Sequence, residues 1–225
     1  MELVHNGLAE HGTAIFAHEQ TQGKGQRERQ WYASKGENII LSIIVDTKTL
    51  QFSHQFLLSM TIALATHDFF KIYGGEESSV KWPNDLYWRD RKAGGILIEN
   101  VVKGSEWQWA VIGIGININQ ISFDERAANA VSLKQITGKS FNSLVLAKEL
   151  CQKIDHWFQI LEAGNYQSLI NDYNNILYKK GETVFLKKNN ISFECVIKGV
   201  NEFGYLITES ATEQLFNVGE IQWVK

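Results

Sequence analysis

The chain of 225 residues contains a single proline, Pro83, so its turns must be punctuated by glycine, asparagine and polar clusters. Two cysteines, Cys151 and Cys195, lie far apart without CxxC or Cys/His ligand spacing. That excludes a disulfide framework and a zinc site, and leaves both as small buried apolar residues. No run approaches the ~18 apolar residues needed to cross a bilayer. The opening Met1-Glu2-Leu3-Val4-His5-Asn6-Gly7 lacks the basic start and apolar core of a signal peptide. The expectation is a cytoplasmic protein with no membrane partner, in which the sequon Asn190-Ile191-Ser192 is a chance match. A net charge of −3, from 22 basic and 25 acidic side chains, is too small to mark a nucleic-acid binder, so any positive site must be local. Repeats and low-complexity tracts are also missing. What is present is a globular composition, 44% hydrophobic and 12% aromatic, over a length that suits one full core plus a small appendage at ~150 residues per domain.

Ala14 to Ala17 is a short apolar stretch and Ile39 to Val45 a nearly continuous Ile-rich one, and both read as strands buried on two faces at the centre of a sheet. Phe56, Met60, Ala63, Leu64 and His67 recur at helical spacing between Phe52 and Tyr73, ahead of the stop signal Gly74-Gly75. Short strands follow near Val80, at Leu86 to Trp88 and at Ile96 to Val102, and a hairpin at residues 103–106 leads into Trp107 to Ile118. In that last strand Ile112, Ile114, Ile116 and Ile118 share one face, and Gly113, Gly115, Asn117 and Asn119 the other. Such a bare face fits close approach by a ligand or packing by one bulky neighbour. Asn142 suits the N-cap of a helix with the stripe Leu144, Ala147, Cys151, Ile154, Phe158 and Leu161, and Tyr166 to Leu177 reads as another helix. After Lys179-Lys180-Gly181 the pattern changes to five short strands, enough for a small SH3-like barrel that leans on the preceding domain. The domain boundary is thus expected between residues 178 and 179.

Several enzyme classes drop out on motif grounds, since the chain has no P-loop, HExxH or nucleophile elbow, and Glu28 stands where a dinucleotide fingerprint needs its third glycine. Three segments remain. Residues 20–31, Gln-Thr-Gln-Gly-Lys-Gly-Gln-Arg-Glu-Arg-Gln-Trp, combine backbone freedom with three cations, as in a loop that folds over an anion or in an ordinary solvated loop. Lys81-Trp82-Pro83-Asn84-Asp85 sets a carboxylate and a tryptophan beside the proline, which fixes its own φ and biases Trp82 towards an extended conformation. Arg91 to Glu99 places Lys92 before Ala93-Gly94-Gly95 at a strand start, where a ligand can reach the backbone or where a hairpin lysine is simply exposed.

In this order and spacing the segments resemble the biotin protein ligases, whose motifs are a GRGRxGRxW loop, KWPND, RKxxGIL(x)E and a GxGxN strand; here they stand at 23–31, 81–85, 91–99 and 113–117. The resemblance covers nearly the whole chain. It implies an α/β (α+β) fold in which a mixed sheet with helices forms a catalytic domain like those of class II aminoacyl-tRNA synthetases and biotin/lipoate ligases. An SH3-like barrel would follow, and the N-terminal DNA-binding domain of some members would be lacking. It further implies ATP-dependent formation of biotinyl-5′-AMP and transfer of biotin to a lysine of a carboxyl carrier protein, with Mg²⁺ largely on ATP oxygens, by a monomer or weak homodimer with no DNA partner. On the same basis Lys92 and Asp85 are the catalytic candidates. Gln20, Gly23, Lys24, Gly25, Gln26, Trp31, Lys92 and Gly95 are the biotin-binding candidates, and Arg29, Lys81, Asn84, Gly113, Gly115 and Asn117 those for ATP and the adenylate. A lipoate ligase of the same fold and a non-catalytic biotin or adenylate binder are the alternatives.

Two departures stand out. Lys24, Gln26 and Glu28 replace Arg, Arg and Gly of the family loop, which lowers its positive charge. Family members also carry a strand ending in Ser-Thr-Asn, part of their biotin site, ahead of the helix that Met1 to Glu10 resembles. The expectation is that in-frame DNA upstream of Met1 encodes it. A loop that closes to shield an acyl-adenylate from water should be cut by trypsin after Lys24 in the empty protein and protected by biotin plus ATP. Peptide mapping of a timed digest checks this, and equal cleavage in both states would reject loop closure.

Overall fold

The computed structural model describes residues 1–26 and 30–224. A short helix α1 (Glu2–His5) leads to a six-stranded sheet built from β1 (Thr13–Phe16), β2 (Asn38–Asp46), β3 (Ser78–Lys81), β4 (Asp85–Trp88), β5 (Arg91–Lys103) and β6 (Glu106–Asn117), in the spatial order β1-β2-β6-β5-β4-β3. Every pairing is antiparallel, which corrects the expected mixed sheet. The turns at 82–84, 89–90 and 104–105 are too short for the crossover that a parallel pair requires. β2 lies inside the sheet and is buried on both faces, as its Ile-rich run implies. β1 does not: it is an edge strand with Ile15 44% exposed. Four apolar residues have the same pattern in a central strand as in an edge strand beside a cleft, so that run misled.

One face of the sheet is covered by α2 (Gln55–Gly74), which is apolar nearly all round and accordingly buried, from Phe56 through Phe70 with few exceptions. It stops where Gly75 takes φ +79°. A short helix α3 (Leu133–Thr137) precedes α4 (Ser143–Glu162), and the Asn142 side chain accepts hydrogen bonds from the Leu144 and Val145 amides at 3.1 Å. The stripe of α4 that meets the core is Leu146, Ala147, Leu150, Ile154, Phe158 and Leu161, so four of the expected positions are buried, while Leu144 is exposed and Cys151 half-buried. α5 (Tyr166–Asn175) completes this layer. No helix among the described residues is long and apolar enough to cross a membrane.

A second antiparallel sheet follows, from β7 (Thr183–Lys188), β8 (Ile191–Val200), β9 (Leu206–Glu209), β10 (Glu213–Phe216) and β11 (Gln222–Trp223), in the order β10-β9-β8-β7-β11. It is consistent with an SH3-like barrel, although β10 and β11 are not paired to close it. Its buried Leu186, Cys195, Ile197, Val200, Leu206 and Phe216 belong to the same continuous core as α2 and the first sheet. The joint is specific. Trp82 Nε1 donates to the Gly204 carbonyl at 2.9 Å, and the Phe56 ring lies where a Cβ on Gly204 would be, 2.2 Å from Cδ2, at φ +86°. Gly204→Ala should therefore cost about 2–4 kcal/mol, from backbone strain and overpacking together. Urea unfolding measures it, and a shift below ~1 kcal/mol would show that this joint yields freely.

Candidate functional site

The sheet face opposite α2 is largely bare and forms the floor of a cleft of about 1160 Å³. Register explains the bareness. Gly115 is opposite Gly95 on one side and Ile40 on the other, and Gly113 is opposite Leu97 and Ser42, so β6 itself offers no side chain here and the floor is low between Ile40 and Leu97. The alternating isoleucines Ile112, Ile114 and Ile116 fill the opposite face and are buried. Strict alternation from Gly95 would turn Lys92 towards the core. Instead the β4–β5 register shifts between Leu86 and Tyr87: Leu86 pairs with Gly94 but Tyr87 with Lys92, leaving Ala93 as the extra residue. This bulge returns Lys92 to the cleft face while Ala93 is fully buried.

On that face Lys92 Nζ donates to Asp85 Oδ1 at 2.6 Å, with the two side chains 34% and 23% exposed. The two catalytic candidates thus form one charge-assisted pair. A Cβ added to Gly95 would lie 3.4 Å from Nζ and 3.5 Å from Oδ1, an ordinary contact. The Lys92 backbone is clamped as well. Its amide donates to the Asn129 carbonyl at 2.8 Å, and its carbonyl accepts from the Val131 amide at 2.9 Å and the Asn117 side chain at 3.4 Å. Asn117 lines the cleft, is buried and also donates to the Val131 carbonyl, so its amide holds the Lys92 strand. Asn84 likewise lines the cleft while its amide donates to the Ile96 carbonyl.

Described residues on both sides of 27–29 reach this floor. Trp31 packs on Gly115, so close that a Cβ there would lie 2.5 Å from the indole, and Lys92 Nζ is 5.9 Å from the ring centroid. The bulky neighbour foreseen as one explanation of the glycine strand is therefore present, and Gly113 remains open to the cleft. Trp31 Nε1 is buried without a hydrogen-bond partner among the described residues. Gln20, Lys24, Gly25 and Gln26 line the cleft. Gly23 does not: its carbonyl accepts from the Trp31 amide at 3.0 Å and a Cβ on it would strike the Trp31 carbonyl, so it closes the base of the loop. Arg29 lies outside the described residues.

Cations and their partners complete the picture. Lys81 Nζ lies among the rings of Tyr87, Tyr178 and Trp223. Arg126, which the sequence reading missed, enters the cleft from the segment after β6, stacks at 4.4 Å over Tyr32 and donates to Asp124 at 2.7 Å. Those hydrogen bonds hold the Asp124 carboxyl down at about 2. An Asp-Glu-Arg run in a loop carries no motif, and only the fold shows that it faces the site. No group of three His, Cys, Asp or Glu side chains among the described residues could hold a metal ion.

A family model described as the biotin/lipoate A/B protein ligase family matches residues 3–117, more than half of the chain, and spans the loop, the cleft floor and the Lys92–Asp85 pair. The chain belongs to this family. The bifunctional ligase/repressor BirA of Bacillus spizizenii is 34% identical over 145 residues, covering 63% of this chain and 44% of that protein. The BirA of Escherichia coli is 34% identical over 123 residues, 55% and 38% respectively. The chain thus spans less than half the length of these relatives. A biotin–[acetyl-CoA-carboxylase] ligase of Paracoccus denitrificans is 24% identical over 92% of this chain and 88% of its own length. Among solved structures, the biotin protein ligase of Aquifex aeolicus in complex with biotin and ATP superposes with a TM-score of 0.81 at 24% identity, covering 95% of this chain and 89% of that one, which establishes the fold.

The seat of Trp31 can be tested. Gly115→Ala should unseat the indole and speed trypsin cleavage after Lys24 in the empty protein several-fold. In a Trp31→Ala background the same change should add nothing, and an added effect there would show that Gly115 acts elsewhere.

Proposed function

We propose that the protein is an ATP-dependent biotin protein ligase. The carrying observation is the Lys92 ammonium, fixed 2.6 Å from Asp85 on the bare floor where the family's motif segments meet. In the first step a biotin carboxylate oxygen bonds to the α-phosphorus of ATP and the bond to pyrophosphate breaks, giving biotinyl-5′-AMP. Both reactants are anions, so positive charge aimed at the forming bond lowers the barrier. An ammonium has three donors. With one on Asp85, two remain to bridge the biotin carboxylate and the α-phosphate. In the second step a carrier-protein lysine attacks the acyl carbon, AMP leaves and an amide forms. Only about one such lysine in 10³ is a free amine at neutral pH. Asp85 is placed to orient it and take its proton, its second oxygen not being the one bonded to Lys92.

Biotin is assigned to the floor under Trp31, near Gln20, Lys24, Gly25 and Gln26, and the nucleotide to the strip of Gly113 and Gly115 with Lys81 at its phosphate end. Mg²⁺ would arrive on ATP oxygens, since the protein offers no cage among its described residues. We assign residues 1–178 to the catalytic domain, 179–225 to the SH3-like one, and the whole to the cytoplasm. Incubation with ATP, biotin and a carboxyl carrier domain, read by intact mass, should add one biotin. Modification by lipoate alone, or ligand binding without product, would replace this reading. Lys92→Met should lower kcat for pyrophosphate release ~10²–10³-fold, as losing a preorganised donor does. Lys92→Arg should not restore it, because a planar guanidinium cannot reproduce a compact bridging ammonium.

A further inference from the structure

The rings around Lys81 come from three distant parts of the chain. Nζ lies 4.8 Å from the centroid of Tyr87 on β4, 5.3 Å from Tyr178 and 4.6 Å from Trp223 on β11, and it donates to the Tyr87 hydroxyl at 3.5 Å. The rings also hold one another, with Tyr87 and Tyr178 centroids 5.1 Å apart and Tyr178 and Trp223 5.6 Å apart. Tyr178 is anchored at both ends: its amide donates to the Val80 carbonyl at 2.9 Å and its hydroxyl to Asp90 at 2.6 Å. Trp223 is set by the pairing of β11 with β7, where it is opposite Leu186. Lys81, Tyr87 and Trp223 all line the cleft.

Ring faces attract an ammonium through their quadrupole within ~6 Å. Three ring faces about one ammonium restrict where it can sit. Trp223 Nε1 is buried without a hydrogen-bond partner among the described residues, and the indole meets Lys81 with its face. A phenyl ring in its place keeps that face. The second sheet, outside the span matched by the family model, therefore reaches the site through its last strand.

We propose that Trp223 is a positioning residue that holds Lys81 for the phosphates of the nucleotide, so that the C-terminal sheet completes the ATP end of the cleft. This rests on the ligase reading for the identity of the nucleotide. ATP affinity is measured by calorimetry with biotinol, whose alcohol replaces the reactive carboxylate, so that no adenylate forms. Trp223→Leu should weaken ATP binding roughly 3- to 30-fold, the range of one desolvated cation–π contact, and leave biotin affinity within about twofold. Trp223→Phe should restore most of the loss. In a Lys81→Met background Trp223→Leu should add nothing, which separates positioning of Lys81 from general loosening of the fold. Unchanged ATP affinity, a parallel fall in biotin affinity, or full effects that multiply in the double variant would overturn the proposal. Wild-type protein that binds ATP yet biotinylates no carrier would reject the ligase reading alone and leave the affinity comparison standing.

Discussion

An ammonium and a carboxylate share a sheet face that glycines at 95, 113 and 115 keep low, and the surrounding structure serves to keep them there. The isoleucine face of β6 anchors the sheet to the buried helix α2, and the glycine face clears space above it. The bulge at Ala93 decides which face Lys92 takes. Asn117 and the 129–131 segment then fix the backbone on which it is carried. A half-buried pair of this kind is held in place by the strands that carry it, yet stays within reach of solvent from the cleft.

The cleft divides its cations by how they are held. Lys92 is bonded to a carboxylate, Arg126 to a carboxylate and a phenol, and Lys81 has three ring faces about it. These partners differ in what they leave to a ligand. A carboxylate offsets charge and can also exchange a proton, whereas a ring orients without doing either. Chemistry that joins two anions needs both kinds: one cation coupled to a base at the reacting centre, and others that grip the leaving group.

Much of this was legible in the residues because it depends on local periodicity. The alternation of isoleucine and glycine in 112–117, the Asn142 cap and the five strands after Lys180 all follow from short-range pattern, and the structure has them. Residues of the three motif segments also line one cleft, as the family resemblance implied. What escaped is non-local. The edge position of β1 depends on which strand pairs with it, and the bulge depends on register between β4 and β5. The approach of Arg126 to Tyr32 joins residues 94 apart in sequence. Asn84 and Asn117, expected to bind the adenylate, spend their amides on main-chain carbonyls, a distinction that no residue type announces.

The segment between α5 and β7 has a mechanical consequence. Val80 donates to the Ile176 carbonyl and accepts from the Tyr178 amide on one side, while Gly181 donates to Ile197 on the other, so the crossing between the two sheets is stitched to both. Such a joint is a weld and not a hinge. The hydrogen bonds on both sides of the crossing tie the C-terminal sheet to the rim of the cleft, so any movement of that sheet must break them.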